Sequence, residues 1–141
     1  MTELDYAGDV SPDEAWNLLK ESKDCHLVDC RTSAEWGFVG VPDIEKLNKS
    51  VLFIEWQIFP MMEKNSNFLT EIVEAGLSKE SEIIFICRSG ARSRSAAEFL
   101  TNHGYKNCYN FSEGFEGAHN ENGHRGKVDG WKFSNLPWKQ G

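Results

Sequence analysis

The chain has 141 residues, of which 40% are hydrophobic and 26% are charged, as is typical of one globular domain. Its net charge of −7 disfavours general binding to nucleic acids, which requires a basic surface. Its longest purely apolar runs are far shorter than the roughly 20 residues of a transmembrane helix, so we expect no membrane partner.

The N-terminal residues lack the basic and apolar segments of a signal peptide, and the expected location is therefore the cytoplasm. The first predicted helix begins at Ser11, where Pro12 suits the first helical position and Glu14 completes a capping box. In chain order, the further predicted elements are a strand (25–30), a helical turn (32–36), a strand (50–56), a helix (67–75), a strand (82–86), a helix (93–103) and a strand (107–111).

Because these strands and helices alternate, they predict an α/β fold with a mainly parallel sheet and helices on both of its faces. The strands are apolar along most of their length, as expected for strands that are covered on both sides. The ligands of such sheets bind at the carboxyl ends of the strands. The segment after residue 114 is rich in glycine and tryptophan, and we expect it to pack back onto the domain, with at most a short helix.

The four cysteines and four histidines show no spacing that is typical of a metal site, and none is predicted. Cys25, Cys30 and Cys108 lie in or beside strand-like runs, which indicates small core residues. Cys87 differs from them because it follows an apolar strand directly and precedes a helix.

The residues after Cys87 are small or basic, and each is a candidate for substrate binding: Arg88, Ser89, Gly90, Ala91, Arg92 and Ser93. A tight loop of this kind directs backbone N–H groups at one point, and the following helix adds its positive end. Both effects favour a thiolate and a bound anion, so Cys87 is predicted to be a nucleophile for an anionic substrate. The plainer interpretation is a core cysteine beside solvated arginines, which does not explain the glycine-containing basic turn.

Segment 87–93 resembles the active-site loop of single-domain rhodaneses. Segment 27–36 is similar to the upstream strand motif of that family, while 107–114 and 131–137 resemble its closing strand and Trp-to-Pro segment. The resemblance implies one rhodanese domain over 1–141, with a five-stranded sheet, a core at about 8–138 and the tail from 114 packed against it.

Two segments depart from the family pattern. Gly37 to Pro42 replaces the Gly-His-Ile that often follows the Glu-aromatic pair, and residues 119–129 form an insertion before Trp131. These departures leave the predicted chemistry intact and affect the surfaces for substrate access and partners.

The resemblance implies a sulfurtransferase that needs no metal or organic cofactor. Cys87 would take sulfane sulfur from thiosulfate or another small anionic donor, hold it as a persulfide and pass it to a thiol or to cyanide. Arg92 and Arg88 would bind the anionic donor, and the loop N–H groups would stabilise the sulfur. Ser89 and Ser93 either contact the sulfur or cap the helix.

Three alternatives remain open. The protein could carry persulfide sulfur to one protein acceptor, or it could be a non-catalytic interaction module or redox sensor. A cysteine phosphatase or arsenate reductase is less favoured, because those enzymes place five residues between cysteine and arginine, and only four separate Cys87 from Arg92. Asp29 and Arg31 are given structural roles, in which Asp29 caps the turn and Arg31 pairs with Glu35.

Overall fold

A five-stranded sheet forms the centre of the protein. The structure is a computed structural model that describes residues 5–140. Residues 1–4 and 141 of the predicted domain lie outside this description. The strands are β1 (Gly8–Val10), β2 (Cys25–Asp29), β3 (Val41–Pro42), β4 (Leu52–Phe53), β5 (Gln57–Ile58), β6 (Glu63–Lys64), β7 (Glu82–Ile86), β8 (Asn107–Phe111) and β9 (Trp138–Lys139). The central sheet has the order β1-β8-β7-β2-β4, and all of its neighbouring strands are parallel.

Helices cover both faces of this sheet. They are α1 (Pro12–Glu21), α2 (Ser33–Val39), α3 (Phe68–Glu74) and α4 (Ala91–Asn102), with a short 3-10 helix at Glu45–Leu47. One core layer joins the sheet to α3 and α4, and the other joins it to α1 and to the C-terminal segment. The predicted fold class is confirmed. Because β7 is the middle strand, its carboxyl end lies at the centre of one edge of the sheet.

The helix starts follow the local sequence signals. Ser11 and Glu14 form the predicted capping box, and Thr32 forms a second one with Glu35. The helix after Cys87 begins at Ala91, earlier than the predicted 93, so the loop before it is shorter than expected.

The irregular parts of the fold differ more from the predictions. Only Leu52–Phe53 of the predicted strand 50–56 pairs in the sheet, and β1, a short edge strand that begins at Gly8, was not predicted. In the C-terminal segment Trp131 is fully buried, and its indole N–H donates to the Pro137 carbonyl over 2.7 Å. The described part of this segment, up to residue 140, contains no helix. Within residues 5–140, no helix has the length and apolar character needed to cross a membrane.

Candidate active site

The loop after β7 wraps around the sulfur of Cys87. The Sγ atom accepts hydrogen bonds from the backbone N–H of Gly90 at 3.2 Å and of Ser93 at 3.3 Å. The Ser93 hydroxyl oxygen lies 3.2 Å from the same sulfur. Cys87 itself is almost completely buried. Three polar groups of the predicted loop therefore converge on the predicted nucleophile.

The sulfur also takes the place of a helix cap. Gly90 is the N-cap residue of α4 and has no side chain with which to bind the free N–H groups of the first turn. The Cys87 sulfur binds two N–H groups of this region, and the first turn of α4 contains no acidic residue. Because the positive end of the helix is directed at this position, negative charge there is stabilised electrostatically.

Two glycines allow the loop its tight path. Gly90 has φ +107°, and a Cβ atom at this position would lie 2.3 Å from the carbonyl oxygen of Ser112. Gly114 would place a Cβ atom 2.3 Å from the carbonyl oxygen of Arg88. The Cys87 carbonyl is bound from outside the loop by the N–H of Phe115 at 2.7 Å. The segment after β8 thus contacts the outer side of the loop, while N–H groups point inward.

A chain of hydrogen bonds runs from the buried Ser93 away from the sulfur and ends at Asp9 on the edge strand. The Ser93 hydroxyl donates to Asn110 Oδ1 at 2.5 Å, and Asn110 Nδ2 donates to Asp9 Oδ1 at 3.1 Å. Ser93 thus both contacts the sulfur and anchors the loop to β8, whereas Ser89 is exposed. Asn110 was not among the predicted site residues, although a polar residue within a buried strand was a usable signal.

Arg92 and Glu35 form an ion pair beside the loop. The two guanidinium nitrogens of Arg92 donate to the two carboxylate oxygens of Glu35 at 2.7 and 2.9 Å. Burial alone would raise the pKa of Glu35, but the hydrogen bonds and charge of Arg92 outweigh it and hold the pKa below its usual value. The predicted pairing of Arg31 with Glu35 is therefore wrong.

Arg31 pairs instead with Asp29, and both side chains are fully buried. The closest contact, from Arg31 Nη2 to Asp29 Oδ2, is 2.7 Å, and the same nitrogen donates to the carbonyl of Gly40 at 2.7 Å. Asp29 also accepts the backbone N–H of Arg31, as expected for a residue that caps the turn. The pair connects the end of β2 to the segment after α2, so its role is structural.

An open cavity of about 620 Å³ lies beside the loop. Its lining includes Glu35, Phe38, Phe59, Met62, Arg88 and Arg92. Within residues 5–140, Arg88 has no carboxylate within 4 Å, whereas Arg92 is held by Glu35. Of the two predicted donor-binding arginines, Arg88 is therefore the one that forms no ion pair within the described residues.

Comparison with known proteins identifies the family. The family model of the STR4 middle domain matches residues 7–141. The chain belongs to this family of rhodanese-like domains. It is 43% identical over 126 residues to the uncharacterized protein RC0915 of Rickettsia conorii, covering 89% of this chain and 92% of that one.

A more distant relative of this rhodanese-like domain is the thiosulfate sulfurtransferase GlpE of Actinobacillus pleuropneumoniae. It is 27% identical over 129 residues, covering 92% of this chain and 90% of GlpE. Among solved structures, Rv0390 from M. tuberculosis superposes with a TM-score of 0.87 at 43% identity, covering 96% of this chain and 99% of that one. The polysulfide-sulfur transferase of Wolinella succinogenes has a TM-score of 0.66 at 23% identity, covering 97% and 80%, and shows the fold alone.

Proposed function

We propose that this protein is a sulfurtransferase that carries sulfane sulfur as a persulfide on Cys87. The observation that supports this best is the position of the sulfur, which accepts the N–H groups of Gly90 and Ser93 at the start of α4. Backbone donors fixed before the reaction stabilise developing negative charge without reorganisation. In this loop that stabilisation applies to a thiolate, to a persulfide anion and to the thiolate that is regenerated.

The proposed reaction has two displacements at sulfur. In the first, the Cys87 thiolate attacks the outer sulfur of thiosulfate, the S–S bond of the donor breaks, and sulfite leaves with the electron pair. In the second, a thiolate or cyanide attacks the terminal sulfur of the persulfide, and the electron pair of the broken bond returns to Cys87. In each step the products carry the same total charge as the reactants, and no metal or organic cofactor takes part.

Arg88 is the favoured anchor for the anionic donor. It lines the cavity beside the loop and carries an uncommitted charge within the described residues, whereas the guanidinium of Arg92 already donates to both oxygens of Glu35. We therefore assign Arg92 and Glu35 to holding the side wall of the site. The donor's anionic group would lie toward Arg88, with its outer sulfur toward Cys87.

Phosphoryl transfer fits this site less well. A phosphatase needs an arginine that clamps the phosphate oxygens and a carboxylic acid that protonates the leaving group. Arg92 is engaged with Glu35, whose lowered pKa keeps it ionised and unsuited to donating a proton near neutral pH. We expect no appreciable hydrolysis of an aryl phosphate.

Intact-mass measurement after incubation with thiosulfate tests the proposal. One added sulfur atom is expected, and a thiol reductant should remove it. The Cys87→Ser variant should gain no sulfur, while Cys108→Ser, which alters another buried thiol, should behave like the wild type. Sulfur loading that survives Cys87→Ser would contradict the assignment.

A further inference from the structure

A second thiol lies next to the nucleophile in the sheet. The parallel pairing of β2 with β7 ends at Asp29 opposite Ile86, and the N–H of Cys30 then donates to the Ile86 carbonyl at 3.0 Å. In a parallel ladder this bond continues the register by one residue. Cys30 therefore lies opposite Cys87, at the strand spacing of about 4.8 Å.

Both thiols are on the same face of the sheet. Cys30 and Cys87 belong to the core layer under α3 and α4, together with Val28 and Phe85 two residues before them. The Cys30 thiol leans toward β7, because its Sγ lies 3.4 Å from the carbonyl oxygen of Ile86. A Cα separation of about 4.8 Å falls within the range of roughly 4.4–6.8 Å that a disulfide spans.

We propose that Cys30 is a resolving cysteine for Cys87. A peroxide first oxidises the Cys87 thiolate, transferring one oxygen to give a sulfenic acid, while the remaining oxygen of the peroxide leaves as hydroxide or alkoxide. The sulfur of Cys30 then attacks the sulfur of Cys87 and displaces the oxygen. The hydroxyl group leaves with the Cys30 proton as water, and the two sulfurs are joined in a disulfide.

The other cysteines lack this arrangement. Cys25 lies opposite Glu82 and Cys108 lies opposite Ile83, both at the amino-terminal end of β7. Burial raises the pKa of Cys25 and of Cys108 to about 12, and neither faces another thiol in the ladder. A disulfide that forms on mild oxidation is therefore expected at Cys30 and Cys87 alone.

Before oxidation, Cys30 and Cys87 differ in their surroundings, and this difference gives them different roles. Burial, and next the charge of Cys87, raise the pKa of Cys30 well above its usual value, so Cys30 stays protonated. Cys87 is the thiol that accepts two N–H groups, in a loop whose Arg88 and Arg92 line the open cavity, and it is assigned as the thiol that reacts with the oxidant. The protonated Cys30 thiol is a weak nucleophile, but once Cys87 is a sulfenic acid the two sulfurs are neighbours. Well-oriented intramolecular reactions have effective molarities of about 10⁵ M or more, and this compensates for the weak nucleophile.

The consequence is reversible protection of the nucleophile. A sulfenic acid without a thiol neighbour proceeds to sulfinic and sulfonic acids, which ordinary reductants do not reverse. A disulfide with Cys30 stops this sequence, and a thiol reductant restores both cysteines. Because the peroxide experiment contains no sulfur donor, its outcome is independent of sulfur transfer.

In the test, the reduced chain 1–141 is treated with hydrogen peroxide, and the thiols that remain are alkylated after denaturation. Intact mass and tryptic peptides are then measured. The wild type should lose two hydrogens and yield a crosslink between peptide 80–88 and peptide 24–31. Peptide 24–31 holds both Cys25 and Cys30, so fragmentation, or the same experiment with Cys25→Ala, assigns the partner. Dithiothreitol should reverse the change.

The variant Cys30→Ala should instead gain two or three oxygens at Cys87, irreversibly and at least about tenfold faster than the wild type, because intramolecular capture of the sulfenic acid is lost. Cys108→Ala removes a thiol from the same core layer and should match the wild type. A wild type that accumulates oxygen adducts as fast as Cys30→Ala, or a crosslink to Cys25 or Cys108, would overturn the proposal. The wild-type peptide map decides the question even if Cys30→Ala folds poorly.

Discussion

Replacement of Gly90 by alanine tests whether the shape of the loop creates the site. At φ +107° an alanine has a strained backbone, which costs roughly 1–2 kcal/mol. Its Cβ would also lie 2.3 Å from the carbonyl oxygen of Ser112, so the loop or β8 must shift, at a cost typical of overpacking, about 1–3 kcal/mol. Together these terms predict a loss of about 2–5 kcal/mol in the free energy of unfolding.

Gly123→Ala is the matched control for Gly90→Ala. Gly123 has φ +77°, but a Cβ there would meet no atom within 4 Å, so only the backbone strain of roughly 1–2 kcal/mol applies. In a domain of this size 1 kcal/mol corresponds to about 4 °C in Tm. Thermal unfolding should therefore show a fall of roughly 8–20 °C for Gly90→Ala and of about 4–8 °C for Gly123→Ala.

Sulfur loading from thiosulfate should separate the two variants further. The shift of the loop moves the Gly90 N–H from the Cys87 sulfur, and loss of one such donor slows comparable reactions by about 10²-fold or more. Gly123→Ala should load sulfur at the wild-type rate when both are assayed well below their Tm. If the two variants lose the same stability and load sulfur equally fast, the close approach of Gly90 to Ser112 does not shape the site.

Three further substitutions test individual contacts. Glu35→Gln should lower stability at pH 7 by about 1–3 kcal/mol, because the part-buried guanidinium beside it loses its charged partner, whereas Glu98→Gln on the surface should change it by less than about 0.5 kcal/mol. Folding lowers the pKa of Glu35, so this stabilisation is complete above the unfolded pKa of about 4.3 and is lost as the pH falls through the folded pKa. The Tm values of the wild type and Glu35→Gln should therefore converge on acidification, and a difference in Tm that stays constant with pH would refute the assignment. Ser93→Ala should slow sulfur loading by about tenfold, which corresponds to about 1.4 kcal/mol, because it removes the hydroxyl beside the sulfur and the hydrogen bond that anchors the loop to Asn110. Ser89→Ala should leave the rate unchanged in stopped-flow or quench assays, and equal effects would contradict this role of Ser93. Asp29→Asn leaves a buried guanidinium without its counter-charge and should cost about 3–5 kcal/mol in chemical denaturation, and a loss below 1 kcal/mol would mean that water reaches the pair.

Local signals in the sequence were sufficient to predict the architecture and the position of the Cys87 loop within it. The apolar strand before Cys87 and the small, basic turn after it predict a strand, a loop and a helix start within a few residues, and no distant contact is needed to recognise them. The capping box at Ser11 and the alternation of strands and helices are equally local. These features explain why the fold class was predicted correctly.

The shortest elements and the partners of charged residues were not predictable in this way. The edge strand Gly8–Val10 is too short to show periodicity, and the sheet pairs only Leu52–Phe53 of the apolar run at 50–56. Arg31 was predicted to pair with Glu35, but it pairs with Asp29, which shares its complete burial. Glu35 then pairs with Arg92, 57 residues away.

The sequence by itself determined which residue is predicted to be the nucleophile and what kind of loop surrounds it, because a strand, a glycine turn and a helix start are encoded by neighbours along the chain. Only the tertiary structure decided which groups face that nucleophile from other elements. Asn110 of β8 accepts the hydroxyl of Ser93 in α4, and Cys30 lies beside Cys87 one residue beyond the last pair of the β2–β7 ladder. The register of parallel strands connected through helices is set by packing of the whole core, and so no local pattern contains it.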